Sequence, residues 1–330
     1  MKLTTSYLGL SLDNPLIVGA SPYCDNTYIA RQLQDAGAAA LVMRSLFEEQ
    51  IDAEQRALIH NVESTAESSP EATSYFPSYS EYQLTPDHYL RQIEHLKKSL
   101  TIPIIASLNG TRAGGWTDYA QKFEAAGADG VELNLYQLVT DPTIAGDEVE
   151  ADMLETVGSV AAAVKIPVAV KISAFHTSPV HFAVALENAG AKGVVLFNRF
   201  YQPDFNLEDL EVHPQLKLSE PSELLLRLRW LAIISPNMHT SLSASGGVHS
   251  TEDIVKALLA GADTVQLVSV ILKNGPRFLN TLLAGLKNWL VDHGYESVDQ
   301  LRGTMNLQRC PDPSAFERAN YIRILQSWRV

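Results

Sequence analysis

The chain has 330 residues, 46% hydrophobic and 19% charged, with a formal net charge of -13 and an isoelectric point near 5.1. This acidic balance argues against nucleic acid or an anionic membrane as partner, because phosphate binding needs a clustered basic surface, and it leaves small molecules as the expected ligands. Cys24 and Cys310 are too few for a disulfide framework or a cysteine metal site, and no apolar run approaches a membrane span or signal core, so a reducing cytoplasm is the expected home.

In chain order, Leu3 to Tyr7 and Leu10 to Leu12 flank a Leu8-Gly9 turn, a pattern that predicts a hairpin. Asn14-Pro15 precedes an apolar run, Leu16 to Ala20; a helix near Thr27 to Ala36 then closes at Ala36-Gly37-Ala38 before Leu41 to Met43. The helix Pro86 to Leu100 leads through Ile102-Pro103 to Ile104 to Leu108, and Gly115 to Ala126 closes at Ala126-Gly127-Ala128 before Val131 to Leu133. Glu148 to Val164 leads through Ile166-Pro167 to Val168 to Ile172, and Pro179 to Ala189 closes at Ala189-Gly190-Ala191 before Val194 to Phe197. Glu223 to Ile234 leads through Ser235-Pro236 to Thr240 to Ser245, and Thr251 to Ala260 closes at Ala260-Gly261-Ala262 before Thr264 to Val268. Pro276 to His293 is the last helix of the series, and Pro313 to Trp328 reads as a further one in the tail.

Two ways of entering a strand therefore interleave along the chain. Gly37, Gly127, Gly190 and Gly261 read as left-handed helix C-terminal glycines, and the prolines end a helix and open a strand. Short, nearly continuous apolar runs describe strands buried on both faces. Eight such strands alternating with helices predict an α/β fold, a (β/α)8 TIM barrel with an N-terminal hairpin capping its floor and a C-terminal extension. A doubly wound open sheet is the alternative, but no Gly-x-Gly-x-x-Gly turn follows the first strand. Residues 1–296 form the expected barrel, and 297–330 a helical extension packed on it or on a second subunit. Three long connections, Leu46 to Thr85 with Tyr75, Tyr79 and Tyr82, Tyr136 to Asp147, and Asn198 to Pro221, would stand at the C-terminal strand ends as a lid or substrate wall.

Polar residues collect at those same strand ends. After the seventh strand, Ser245-Gly246-Gly247-Val248 would let backbone N–H groups approach an anion, with Ser269 beside it after the eighth; a phosphorylated substrate and a flavin nucleotide fit equally. Lys171 ends the fifth strand, where it would project into the barrel mouth either as a Schiff-base nucleophile or as a fixed cation beside a developing anion. Glu132 and Asn134 point away from the helices if Leu133 faces them. Asn134 then offers a donor and acceptors to a planar ligand, and Glu132 a partner for Lys171 or Arg44. Ala20, Ser21, Arg44 and Asn198 complete the rim, and no metal site is expected. Cys24, Tyr136 and His176 are the nearby groups able to exchange protons, each with a structural reading: a small buried thiol, a phenol that titrates too high, and a solvated or capping imidazole.

Asn14-Pro15-Leu16 with Gly19-Ala20-Ser21, Glu132-Leu133-Asn134-Leu135, Val170-Lys171, Asn198, and Ser245-Gly246-Gly247-Val248 through Ser269 together resemble the class 1 dihydroorotate dehydrogenases, in particular their dihydroorotate dehydrogenase-like subgroup. The resemblance runs from about Leu3 to His293. It implies an FMN-dependent oxidoreductase of pyrimidine metabolism that moves hydride between a dihydropyrimidine-type substrate and the flavin. It places the FMN phosphate on Gly246, Gly247 and Ser269, the ring near Ala20 and Ser21, and Lys171 at the flavin N1/O2 edge, with Ser245 and Asn134 also among the cofactor-binding residues. Arg44, Asn134 and Asn198 then contact substrate, Arg44 standing where the family has a lysine. It also implies a homodimer and allows a separate redox partner. The family's Asn-x-Ser-Cys-Pro-Asn after the fourth strand is here Asn134-Leu135-Tyr136-Gln137-Leu138-Val139, so Gln137 falls at the position of the catalytic base, a task an amide cannot perform. A flavin-binding paralogue or subunit without dihydroorotate activity is one alternative, and a phosphate-binding Schiff-base aldolase or epimerase using Lys171 is another.

Overall fold

The computed structural model describes residues 1–50, 85–110, 113–199, 202–213, 216–318 and 320–327. Eight parallel strands close a barrel in the order β3 (Leu16–Val18), β4 (Ala40–Phe47), β5 (Ile104–Gly110), β6 (Gly130–Leu135), β7 (Val168–Ile172), β8 (Gly193–Leu196), β11 (Ser241–Ser245) and β12 (Thr264–Leu267). The helices around it are α1 (Thr27–Asp35), α2 (Pro86–Ser99), α3 (Ala113–Ala125), α4 (Gly146–Ala163), α5 (Pro179–Asn188), α6 (Leu224–Ile234), α7 (Thr251–Ala260) and α9 (Phe278–Asp292). The fold is the expected (β/α)8 barrel. Gly37, Gly127, Gly190 and Gly261 all take positive φ, between 96° and 117°, and so end their helices as the Ala-Gly-Ala pattern predicts.

Side-chain alternation divides the core in two. Val131, Leu133, Val170 and Leu196 face outward onto the helices. Tyr7, Leu8, Leu12, Ile17, Val42, Ile105 and Ala169 form a separate apolar cluster within the barrel. Above it the interior turns polar, with Ser107, Glu132, Ser243 and Thr264 all fully buried.

The floor is closed by the hairpin β1 (Thr5–Tyr7) and β2 (Leu10–Leu12). Leu8 N donates to Ser241 Oγ at 3.0 Å, and the Leu8 side chain fills space left by glycines at the start of β6 and β8. A Cβ placed on Gly193 would lie 2.6 Å from Leu8 Cδ2.

Four features differ from the sequence expectation. β4 continues to Phe47 through a register shift between Val42 and Ser45, so Arg44 and Ser45 lie within the strand at an irregularity, not at its end. A short helix, α8 (Ser269–Asn274), stands between β12 and α9, and the Asn198 to Pro221 connection contains a hairpin of β9 (Asp204–Asn206) and β10 (Glu211–His213). The tail helix expected from Pro313 to Trp328 is interrupted: a 3-10 turn at Pro313–Phe316 precedes α11 (Asn320–Gln326). Before it, α10 (Val298–Leu301) and the backbone of Gly303, Met305 and Leu307 dock on the barrel, donating to Leu258, Leu259 and Ala232. Tyr75, Tyr79 and Tyr82 lie outside the described residues.

Because the buried Leu8 side chain packs into the space beside Gly130 and Gly193, Leu8→Ala should cost about 2 to 5 kcal/mol, the range of buried leucine truncations. Urea unfolding measures it, and an unchanged midpoint would show that the hairpin is ornamental.

Candidate active site

One cavity of about 380 Å³ opens at the C-terminal ends of the strands. It is lined by every site residue predicted from sequence except Gln137: Ala20, Ser21, Arg44, Asn134, Lys171, Asn198, Ser245, Gly246, Gly247 and Ser269.

Its floor is an enclosed ion pair. Lys171 Nζ lies 3.5 Å from Glu132 Oε1 and 3.1 Å from Gln266 Oε1, while Gln266 Nε2 donates to Glu132 Oε2 at 2.5 Å. Glu132 is completely buried, and 7% of Lys171 is exposed. Of the two partners foreseen for Glu132, Lys171 is the one it meets. Arg44 turns to Asp25 at the rim, Nη1 to Oδ2 at 3.2 Å, and burial of Asp25 raises its carboxyl against the lowering effect of that guanidinium.

One wall is a hydroxyl and amide cluster. Asn134 Nδ2 donates to Ser45 Oγ at 2.6 Å and to Ser107 Oγ at 3.0 Å, with the two hydroxyls 2.9 Å apart. Its amide nitrogen is thereby engaged, and the buried Oδ1 has no partner among the described residues. Asn134 lines the cavity with its nitrogen turned to the two hydroxyls, so the free donor that sequence suggested is taken up within the wall. The β4 irregularity matters here, since it brings Ser45 into register with Ser107 on β5.

The opposite end is built on Gly246 and Gly247, with φ of 90° and 81°. A Cβ on Gly247 would lie 2.3 Å from the Leu224 backbone N, and one on Gly246 3.0 Å from Arg227 Nη2. Left-handed backbone and close approach thus both demand glycine. The N–H groups of Gly246, Gly247 and Val248 donate to no described residue. Arg227 supports the turn from below, with Nε on Ser245 O at 2.9 Å and Nη1 on Glu223 O at 2.8 Å. Ser219 closes over it, its N–H donating to Ser269 Oγ at 2.9 Å, and Lys273 Nζ donates to Ser219 O at 3.3 Å. Arg199, Lys217, Arg227 and Lys273 outnumber Glu223 here, which pairs with Arg199 and Arg227, and leave this end cationic. Arg227, Ser219 and Gln266 escaped the sequence reading; an arginine inside the leucine-rich Leu224–Ile234 was the available signal for one of them.

The proton-exchanging candidates separate cleanly. Cys24 is fully buried, donates to Val42 O at 3.3 Å, and has its thiol pushed up to about 12, first by burial and then by Asp25. Tyr136 lines the cavity, but burial raises its phenol above the ordinary value. His176 stacks on Phe182 with ring centroids 4.1 Å apart and meets Glu150 Oε1 at 2.9 Å, away from the cavity. Gln137 lines a separate cleft of about 20 Å³ with Gly110, Trp116, Asp152 and Met153. Among the described residues no group of three His, Cys, Asp or Glu side chains could hold a metal ion, and no helix is long and apolar enough to cross a membrane.

A family model described as dihydroorotate dehydrogenase matches residues 83–290. The chain is 29% identical over 222 residues to a putative dihydroorotate dehydrogenase A (fumarate) of Aeropyrum pernix, covering 62% of this chain and 67% of that protein. It is 24% identical over 311 residues to the catalytic subunit of dihydroorotate dehydrogenase B (NAD(+)) of Thermoplasma acidophilum, covering 91% and 98%. To the NAD-dependent dihydropyrimidine dehydrogenase subunit PreA of Escherichia coli it is 20% identical over 328 residues, covering 92% and 77%.

At the glycine end, His249 Nε2 lies 3.3 Å from Ser219 Oγ, and burial followed by the charge of Lys273 holds its imidazole below the ordinary 6.5. Below that pH the unfolded chain takes up a proton here that the folded chain resists, so this residue removes stability as pH falls from 7 toward 5. His249→Asn should therefore shrink the drop in urea midpoint between those two pH values. An identical drop in both proteins would contradict it.

Proposed function

This chain belongs to the dihydroorotate dehydrogenase family, and from that membership we propose that it is an FMN-dependent oxidoreductase of pyrimidine metabolism, acting on a CH–CH bond of a dihydropyrimidine-type ring. The observation that carries the reading is the convergence, in one cavity, of a buried lysine at the floor, an unpartnered amide oxygen on the wall and a cationic double-glycine turn at the far end.

The residues present fit FMN. Gly246 and Gly247 offer N–H groups that donate to no described residue, in a left-handed turn packed so closely on Leu224 and Arg227 that only glycine fits, which suits a phosphate. Ser269 stands beside it, with Ser219 and Lys273 above and Arg227 beneath, while Ala20, Ser21, Asn134 and Lys171 would hold the ring. Bound FMN would supply the two-electron acceptor for a hydride leaving the substrate. Lys171 contributes a fixed positive charge in a water-poor site, where such a charge acts more strongly than in bulk solvent. Asn134, its nitrogen held by Ser45 and Ser107, leaves Oδ1 as the atom that would accept a hydrogen bond from a ring N–H, and Arg44, oriented by Asp25, with Asn198 would engage the substrate from the rim. The aldolase alternative is disfavoured, because Lys171 Nζ is already committed as a donor to two buried oxygens.

The chain differs from the family pattern in proton removal. Cavity-lining titratable groups among the described residues are Arg44, Tyr136, Lys171, Arg199, Lys217 and Glu223. Glu223 is engaged by Arg199 and Arg227 at the glycine end, 3.6 and 3.8 Å away. Tyr136 is the one of these on the strand-four loop, and burial raises its phenol above the ordinary value. This favours a second reading, a flavin-binding paralogue or subunit without classical dihydroorotate activity. Relatives named as subunits support a separate redox partner, the family resemblance supports a homodimer, and the two free cysteines suit a cytoplasmic setting.

Purified protein should be yellow and bleach on anaerobic reduction, whereas reduction by dihydroorotate should be very slow, since general-base help is worth about two to four decades of rate. Gln137→Cys alone should not accelerate it, because position 137 faces another cleft. Colourless protein would remove the flavin reading, and fast reduction by dihydroorotate in stopped flow would remove the claim of a missing base.

A further inference from the structure

The ion pair at the cavity floor is held open. Lys171 Nζ is closer to the neutral Gln266 carbonyl, at 3.1 Å, than to the Glu132 carboxylate, at 3.5 Å. Charge-assisted bonds of this kind normally close to about 2.7–2.9 Å, and attraction strengthens as water is excluded. Gln266 opposes that closure, because its one amide engages both charges at once. Nε2 takes Glu132 Oε2 at 2.5 Å, and Oε1 takes the ammonium.

The backbone is shaped to permit this bridge. β12 lies opposite β6 in the barrel order, so Gln266 reaches across the interior to Glu132, while Lys171 comes from β7 beside β6. Gly19, just after β3, packs against the strand that carries Gln266: a Cβ there would lie 2.8 Å from Val268 Cγ2 and 3.3 Å from Gln266 Cβ. Gln266 is 2% exposed and lines the cavity.

We infer that Gln266 is a positioning residue for Lys171, holding Nζ off Glu132 and toward the cavity, and so setting how much positive charge a bound ring meets. Its effect on a ligand rests on the flavin reading above; its effect on Lys171 does not. Without the amide bridge, the ammonium collapses onto the carboxylate and is withdrawn from the cavity.

Gln266→Met keeps much of the side-chain volume and removes both amide contacts. The ratio of FMN affinities, reduced over oxidised, should fall at least tenfold, which is about 30 mV in a two-electron potential. Adding Glu132→Gln should restore the ratio to the wild-type value or above, since no carboxylate is left to draw Lys171 away. A role in packing alone predicts instead that the double variant is worse than either single one. Should Gln266→Met fail to fold, Gln266→Asn, too short to span both partners, must show the same fall. In the flavin-free chain, the Lys171 ε-carbon NMR resonance, assigned with Lys171→Met, should move in the Gln266 variant and return in the double variant. Absence of FMN binding with these NMR shifts present would defeat only the flavin reading. An unmoved resonance, or an unchanged affinity ratio in flavin-loaded protein, would overturn the role given to Gln266.

Discussion

A lysine and a glutamate enclosed together inside a barrel constrain everything around them. Taking two charges out of water costs several kcal/mol per ion after relaxation, and only close pairing with further hydrogen bonds offsets it. Lys171 and Glu132 stand 3.5 Å apart, and Gln266 supplies the further hydrogen bonds by engaging both; the interior at their level is accordingly small and polar, with Ser107, Ser243 and Thr264 where bulky aliphatic side chains would otherwise fill the barrel. Beneath them Tyr7, Leu8, Ile17, Val42 and Ile105 seal the floor. The N-terminal hairpin is therefore tied to the chemistry at the other end of the barrel: by closing the bottom it keeps water from the ion pair, so that the charge of Lys171 is felt at the mouth.

The mouth is organised as two dissimilar ends around that charge. At one end glycine geometry, Arg227, Ser219 and Lys273 make an anion seat that no side chain at positions 246 or 247 could share. At the other, Asn134 is held through its nitrogen by Ser45 and Ser107, and its oxygen is left without a partner among the described residues. A ligand with a terminal phosphate, a planar ring and an edge that becomes negative satisfies all three features. A sugar phosphate satisfies only the first.

Much of this was legible in the sequence because backbone demands are written in residue type. Pro15, Pro103 and Pro167, together with the left-handed Gly37, Gly127, Gly190 and Gly261, count out the barrel before any side chain is placed, and strand parity correctly turned Glu132 and Asn134 inward. That parity stops at Leu135, where the strand ends: Tyr136 lines the cavity and the neighbouring cleft alike, while Gln137 lines only the cleft, beside Trp116, Asp152 and Met153. The β4 irregularity that delivers Ser45 to Ser107 depends on pairing with β5, a partner 62 residues away, and leaves no local trace. Gln266 looked like one more residue of a buried strand, since its importance lies in a carboxylate across the barrel. Tail residues beyond Pro313 carry helical periodicity, yet the chain takes a 3-10 turn there first.

Whether the cavity selects a flavin through its phosphate is tested in one measurement, by titrating the flavin-free chain with FMN and with riboflavin and following the visible absorption of the ring. Saturable binding of FMN, at least tenfold tighter than riboflavin, is the predicted result. Equal affinity for the two, or no binding of either, would contradict it.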